Sequence, residues 1–191
     1  MAIKAVIFDC FGVLIMSGQV FLRRDYPELA GLVNDLQAKS DIGELSRSQF
    51  NDTISNLIGI TPQQVDERYW GTNKYNQPMI DWVGQLKNSG KYKIGMLSNV
   101  NRDRMDVSLP FFDRQNLFDV EILSGDVKLV KPDPNIFILM ADKLGLMPTE
   151  CVMVDDMPKN IDGARQAGMQ GIVYVSLEQS QSELDKLTSL N

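Results

Sequence analysis

The sequence predicts an α/β fold: a Rossmann-like parallel sheet core with a small inserted helical cap. Short apolar runs that end in polar residues or glycine recur along the chain, and helical periodicity fills the gaps between the later ones. A long helix-rich stretch follows the first run alone. Strands alternating with helices imply a parallel sheet covered on both faces. Residues 1–15 and 79–191 are read as the core and residues 16–78 as the cap.

The first run, Ile3 to Phe8, stops at Asp9 and is followed by Gly12, which reads as a buried strand opening into a tight turn. In the cap, Leu29, Leu32, Val33 and Leu36 form one apolar stripe, and Phe50, Ile54, Leu57 and Ile58 a second. Thr61-Pro62-Gln63-Gln64 is a capping box with proline at the first helical position, starting a helix through Val65 and Tyr69. Polar joints are expected near Ser17-Gly18 and from Asn73 to Gln77. A helix over Pro78–Ser89 stops at Gly90 and leads back into the sheet. Strands follow at Tyr92–Leu97, Val120–Leu123, Cys151–Val154 and Gly171–Val175. Between them, a helix from Pro134 has Asp133 placed to cap it and Gly145 just past its end, and another runs from about Lys159 to Ala167 before Gly168. Leu184, Leu187 and Leu190 mark a final amphipathic helix.

Composition narrows the chemistry. The 191 residues include no histidine, which excludes Ser-His-Asp and Cys-His mechanisms and removes the commonest zinc and haem ligand. Carboxylates, lysine, hydroxyls or a hard metal are left. A net charge of -6, from 19 basic and 25 acidic residues, argues against binding nucleic acid or an anionic membrane surface. Cys10 and Cys151 lie in apolar runs and read as buried reduced thiols of a cytoplasmic protein. The longest uncharged stretch, Cys10–Leu22, is 13 residues and too short to span a bilayer.

In open parallel sheets, ligands bind outside the carboxyl ends of the strands. The residues there are Asp9, Ser98 with Asn99, and Asp155 with Asp156. Three carboxylates converging on one crevice repel unless a cation sits between them, which points to Mg2+ with oxygen ligands. Ser98 and Asn99 offer a hydroxyl and amide donors to phosphate oxygens, and Lys131, on a stiff Val130–Pro134 loop, can neutralise a phosphoryl group. Each alone has a plainer reading as turn former, helix cap or surface charge. Their conjunction in order favours a site.

Ile7-Phe8-Asp9-Cys10-Phe11-Gly12-Val13-Leu14, Met96-Leu97-Ser98-Asn99, Lys131-Pro132-Asp133-Pro134 and Val154-Asp155-Asp156 with Asn160 resemble, in order, the four motifs of the haloacid dehalogenase superfamily. With the cap following the first strand, the similarity covers nearly the whole chain. The resemblance implies that Asp9 is a nucleophile forming an aspartyl-phosphate that water hydrolyses. It implies Mg2+ held by Asp9, the Phe11 backbone carbonyl and Asp156 with Asp155 alongside, support from Asn160, and Ser98, Asn99 and Lys131 on the transferring group. The expected partner is a small, phosphorylated molecule, and the chain a monomer or homodimer.

One position departs from the pattern. Family phosphatases carry a second Asp two residues after the nucleophile, which protonates the leaving group and activates water; here it is Phe11. Three readings follow: a phosphatase or phosphotransferase for substrates with good leaving groups, a 2-haloacid dehalogenase, or a phosphate-ligand sensor without turnover. The conjunction of Ser98, Lys131, Asp155 and Asp156 favours the first. Arg23, Arg24, Arg47, Arg68, Tyr69 and Trp70 of the cap are candidate substrate contacts that read more simply as surface charge and core packing, and Arg102 and Arg104, just after the second motif, are candidates for a second anionic group that read more simply as solvated helix positions.

Overall fold

A computed structural model describes residues 2–16, 20–69, 71 and 73–189. In chain order the elements are β1 (Ala5–Phe8), β2 (Ile15–Met16), α1 (Val20–Asp25), α2 (Ala30–Asp41), α3 (Arg47–Ile58), α4 (Pro62–Tyr69), β3 (Lys74–Tyr75), α5 (Gln77–Asn88) and β4 (Lys93–Ser98). They continue as α6 (Arg102–Ser108), α7 (Phe111–Leu117), β5 (Val120–Leu123), α8 (Ser124–Val127), α9 (Pro134–Leu144), β6 (Cys151–Asp155), α10 (Pro158–Gln166), β7 (Gln170–Val173) and α11 (Leu177–Ser189).

Alternation along the central strand makes the layers, because successive side chains of a strand point to opposite faces. Val6 and Phe8 of β1 join Met79, Trp82 and Val83 of α5 and Leu184 of α11 in one core. Ala5 and Ile7 join Ile136, Phe137 and Met140 of α9 and Ile161 and Ala164 of α10 in the other. The main sheet is parallel with order β5-β4-β1-β6-β7, as the βα alternation predicts. Phe8 is level with Met96 and with Val154, so the three central strands end within two residues of one another. The chain folds as predicted at α9, where the Asp133 side chain accepts from Asn135 N and Gly145 closes the helix at φ 67°.

Helices α1 to α4 have an apolar cluster of their own, built on Phe21, Leu22, Val33, Leu36, Phe50, Ile54, Val65 and Tyr69. Thr61 and Gln64 make the expected reciprocal cap. A second capping box, Ser46 with Gln49, starts α3. Two stripe residues fall outside this core: Leu32 and Leu57 are 38% and 49% exposed. A four-residue periodic stripe is wider than the face that short helices here cover.

The joint to the cap differs from the expected polar linker. Within Asn73–Gln77, β3 pairs antiparallel with β2, Ile15 opposite Tyr75 and Met16 opposite Lys74. Asn76 fastens this ribbon, its Nδ2 donating to Val13 O at 2.8 Å and Tyr174 Oη at 2.7 Å. Strands of two residues show no period, so the sequence conceals them. Ser17-Gly18 and Leu190 lie outside the described residues. The end of α2 and the turn after it are bonded to the core: Asn101 Nδ2 donates to Ser40 Oγ and Leu45 O, Lys128 Nζ to Ile42 O at 2.7 Å, and Ser124 Oγ to Asp41 O. Among the described residues no helix is long and apolar enough to cross a membrane.

Candidate active site

The carboxyl ends of β1, β4 and β6 bring the predicted residues together. Asp9 follows β1 and is 6% exposed; its Oδ1 accepts from Cys10 N at 2.6 Å. Lys131 arrives on the loop before α9 and is 3% exposed. Its Nζ lies 2.9 Å from Asp9 Oδ1 and 2.6 Å from Asp155 Oδ2, one ammonium shared by two carboxylates. Ser98 is buried at the end of β4. Asp9, Asp155 and Asp156 each present an oxygen within 4.8 Å of the other two.

Electrostatics follow from this crowding. Burial, with Asp155 adding to it, pushes the Asp9 carboxyl up to about 7 against the opposing pull of Lys131. Partial burial and then the Asp155 charge raise Asp156. Burial works against the Lys131 charge, but Asp9 and Asp155 prevail and hold it above the ordinary lysine value. The thiols of Cys10 and Cys151 are free and buried, and burial pushes both upward, so neither is a thiolate nucleophile.

The geometry divides the acidic residues by task. Asp155 is saturated: besides Lys131 it accepts from Met157 N at 2.9 Å and from Asn160 Nδ2 at 2.9 and 3.0 Å. It holds Lys131 upright, and Asn160 holds it in turn. Asp156 is the more exposed carboxylate and faces Gly12. A Cβ on Gly12 would meet Asp156 Oδ2 at 2.4 Å, and Gly12 has φ +97°, so glycine alone permits this approach. Asn99, expected on phosphate oxygens, bonds the main chain of Lys131 from both ends: its Nδ2 donates to Lys131 O at 2.9 Å and its Oδ1 accepts from Lys131 N at 2.8 Å. Its amide positions the lysine.

The donor set fits a hard cation. Asp9 and Asp156 supply carboxylate oxygens that lose their mutual repulsion beside a divalent ion, and among the described residues the turn's backbone hydrogen bonds run through Cys10 O and Ile15 O rather than the Phe11 carbonyl. This all-oxygen set suits Mg2+.

The cap candidates are placed otherwise. Arg47 pairs with Asp66, Arg24 with Asp25 at 2.6 Å, and Arg23 reaches Asn34 at 3.4 Å. Arg68 is exposed. Tyr69 is cap core, its hydroxyl donating to Gln37 Oε1. Trp70 lies outside the described residues. A concavity of about 480 Å3 lined by Arg47, Asn51, Asp66 and Asp103 contains none of the site residues. On α6, Arg102 is an exposed partner of Asp126 and Glu121. Arg104 contradicts its solvated reading: it is 4% exposed, with its guanidinium carbon 4.4 Å from the centre of the Phe11 ring. Asp41 of the cap, absent from the sequence candidates, comes within 3.9 Å of Arg104 Nη1. Its place just after the second motif marks Arg104 as a candidate, but nothing local in the sequence marks its burial, or Asp41 beside it.

Carboxylates and a buried lysine at the switch point of a parallel sheet, beside an inserted helical lobe, define a hydrolase class. The chain belongs to the haloacid dehalogenase-like hydrolases, whose family model matches residues 3–168. It is 25% identical over 210 residues to the pyrophosphatase PpaX of Bacillus cereus strain B4264, covering 100% of this chain and 95% of the relative. A HAD family enzyme of Bacteroides thetaiotaomicron, solved with magnesium and inorganic phosphate, superposes with TM-score 0.77 at 22% identity over 92% of this chain and 96% of the other. The L-2-haloacid dehalogenase of Xanthobacter autotrophicus, with chloropropionic acid covalently bound, gives 0.63 at 18% identity over 96% and 83%. These structural likenesses establish the fold.

Proposed function

We propose that this hydrolase is a Mg2+-dependent phosphatase or phosphotransferase in which Asp9 attacks phosphorus to form an aspartyl-phosphate. The observation that carries this reading is the Lys131 bridge between Asp9 and Asp155 with Asp156 alongside, a charge arrangement suited to a cation and a phosphoryl anion. Asp9, the Phe11 carbonyl and Asp156 would hold Mg2+, which neutralises developing charge on the transferring group. Asp9 supplies the nucleophilic oxygen. Lys131, kept charged by its two carboxylates and oriented by Asn99 and Asp155, faces the phosphoryl oxygens with Ser98. A carboxylate substrate, as in haloacid dehalogenation, meets Asp156 at this rim, which disfavours that chemistry.

Phe11 sets the substrate class. A phenyl ring cannot transfer protons, and a placed acid/base contributes about 100- to 10,000-fold. The leaving group must therefore depart without a proton, as in phosphoanhydrides, acyl phosphates or activated aryl esters; the pyrophosphatase relatives fit that class. Acetyl phosphate and p-nitrophenyl phosphate should release product with Mg2+ and not in chelator. Metal-independent chloride release from 2-chloropropionate would replace this reading with the dehalogenase. Phe11→Asp should accelerate hydrolysis of unactivated alkyl phosphates by about 100-fold, the low end of that range, because Arg104 keeps the new carboxyl ionised. Absence of any gain in initial-rate assays would mean another group already supplies the proton.

A further inference from the structure

The segment that follows β4 serves three places at once. Ser98 ends the strand at the site, Asn99 holds the main chain of Lys131 from both sides, and Asn101 reaches the cap. Asn101 is buried, and both polar atoms of its side chain are used. Its Oδ1 accepts from Arg104 N at 3.2 Å and so caps α6, while its Nδ2 donates to Ser40 Oγ at 2.8 Å and to Leu45 O at 3.0 Å. One amide thereby joins the start of a core helix to both ends of the stretch Ser40–Leu45.

Ser124 repeats the link beside it. Its buried Oγ accepts from Val100 N at 2.8 Å and donates to Asp41 O. Gly125 lets the chains approach, since a Cβ there would meet Asn101 Cα at 2.8 Å. Arg47 N, just beyond the stretch, donates to Asp103 Oδ2 of α6 at 2.8 Å. Apolar packing does not set this edge: among the described residues the cap cluster is drawn from Phe21–Tyr69 alone, and neither core cluster takes a residue from that span. Directional hydrogen bonds between buried polar groups therefore decide where Ser40–Leu45 sits.

The seat matters for what it borders. Asp41 Oδ1 lies 3.9 Å from Arg104 Nη1, and the Arg104 guanidinium carbon lies 4.4 Å from the centre of the Phe11 ring, two residues after Asp9. Phe11 stands where a leaving-group acid would stand, so the seated stretch flanks the leaving-group side. We propose that Asn101 is a positioning residue that seats Ser40–Leu45 on the core and thereby shapes the leaving-group side of the site. The seat is independent of chemistry at Asp9; its effect on substrate binding rests on the phosphoryl-transfer reading.

Asn101→Ser tests this on the full chain. Serine is a good N-cap and can keep Arg104 N bonded, but it is too short to reach Ser40 and Leu45. Hydrogen exchange followed by mass spectrometry reads the seat, because the amides of Ile42, Gly43, Glu44 and Leu45 are hydrogen-bonded locally. They should exchange about 10-fold faster in the variant, the equilibrium change for one net buried hydrogen bond, while peptides of β1 and β4 keep the parent rate. Kinetics with Mg2+ read the consequence. KM for p-nitrophenyl phosphate should rise about 10-fold with kcat within about threefold of the parent, since only binding on the leaving-group side is lost. Inorganic phosphate, which reports on Ser98 and Lys131, should inhibit as it inhibits the parent. Parent-like exchange at Ile42–Leu45, faster exchange across β1 and β4 as well, or an equal loss of phosphate inhibition would each overturn the proposal.

Ser40→Ala approaches the same bond from the cap and leaves α6 intact. It should speed the same amides about threefold, and the double variant should exchange no faster than Asn101→Ser alone; additive effects would contradict the link. If Asn101→Ser does not fold, Ser40→Ala decides: faster exchange upholds the seat and parent-like exchange overturns it. Faster exchange with no turnover of any phosphate compound would leave the seat standing and remove the phosphoryl-transfer reading; turnover with an unmoved Ser40–Leu45 would do the reverse.

Discussion

Lys131→Met is expected to damage folding and activity together. The lysine is 3% exposed and its ammonium lies within 2.9 Å of Asp9 and 2.6 Å of Asp155. Methionine fills the volume but leaves two buried carboxylates facing one another, and breaking a buried ion pair from one side costs about 3–5 kcal/mol. The pH dependence identifies the cause. Without the ammonium the Asp9 carboxyl, raised by burial, loses the charge that opposes that rise, so the folded state binds its proton more tightly than the unfolded one. Stability of the variant should therefore increase as pH falls from 7 toward 5, by denaturant titration in chelator. Turnover measured where the variant is folded should drop about 100- to 1,000-fold, as for loss of one preorganised charge stabiliser. A stable, active variant would remove Lys131 from the site.

Asp9→Asn should separate those two effects. The amide oxygen can still accept from Cys10 N, which Asp9 contacts at 2.6 Å, so the turn into Gly12 is retained. Burial pushes the Asp9 carboxyl up to about 7, which means that its charge is unfavourable in the folded chain near neutrality. In chelator the parent should lose stability as pH rises from about 4 to 7, the interval between the ordinary and raised values, and the variant should not. Turnover should fall about 10,000-fold or more, since an amide is no nucleophile and losing one collapses the whole reaction path. Melting curves over that pH range, paired with initial rates, check both parts.

Much of this site is legible in the sequence because it is built on strand ends. A buried parallel strand appears as an apolar run, and the first polar residue after it marks the sheet's carboxyl edge, which locates Asp9, Ser98 and Asp155 without any tertiary information. Helix ends are equally local: Asp133, Thr61 and Gly145 announce themselves. What stays hidden depends on contacts distant in sequence. Asn99 reads as a phosphate donor until the Lys131 main chain is found beside it, 32 residues away. Asp155 reads as a metal residue and does stand in the carboxylate cluster, but the sequence does not show that Lys131, Met157 and Asn160 also bond its oxygens. Arg104 sits in a seven-residue helix among charged neighbours, a context that signals solvent. Only the docking of the Ser40–Leu45 turn by Asn101, Ser124 and Lys128 buries it against Phe11 and Asp41. The Phe11 substitution itself is visible in the sequence, but its partner is not.

The absence of a carboxyl at Phe11 also makes the central claim directly observable. The group missing there would activate water for the second step, so hydrolysis of the aspartyl-phosphate should be slowed and the intermediate should accumulate. The decisive measurement is peptide mass spectrometry of the protein mixed with acetyl phosphate and Mg2+ and quenched in acid. The account predicts the mass of one phosphoryl group on Asp9, absent in chelator and absent in Asp9→Asn. Continuous phosphate release with no label on Asp9 at any quench time, or release undiminished in Asp9→Asn, would contradict it.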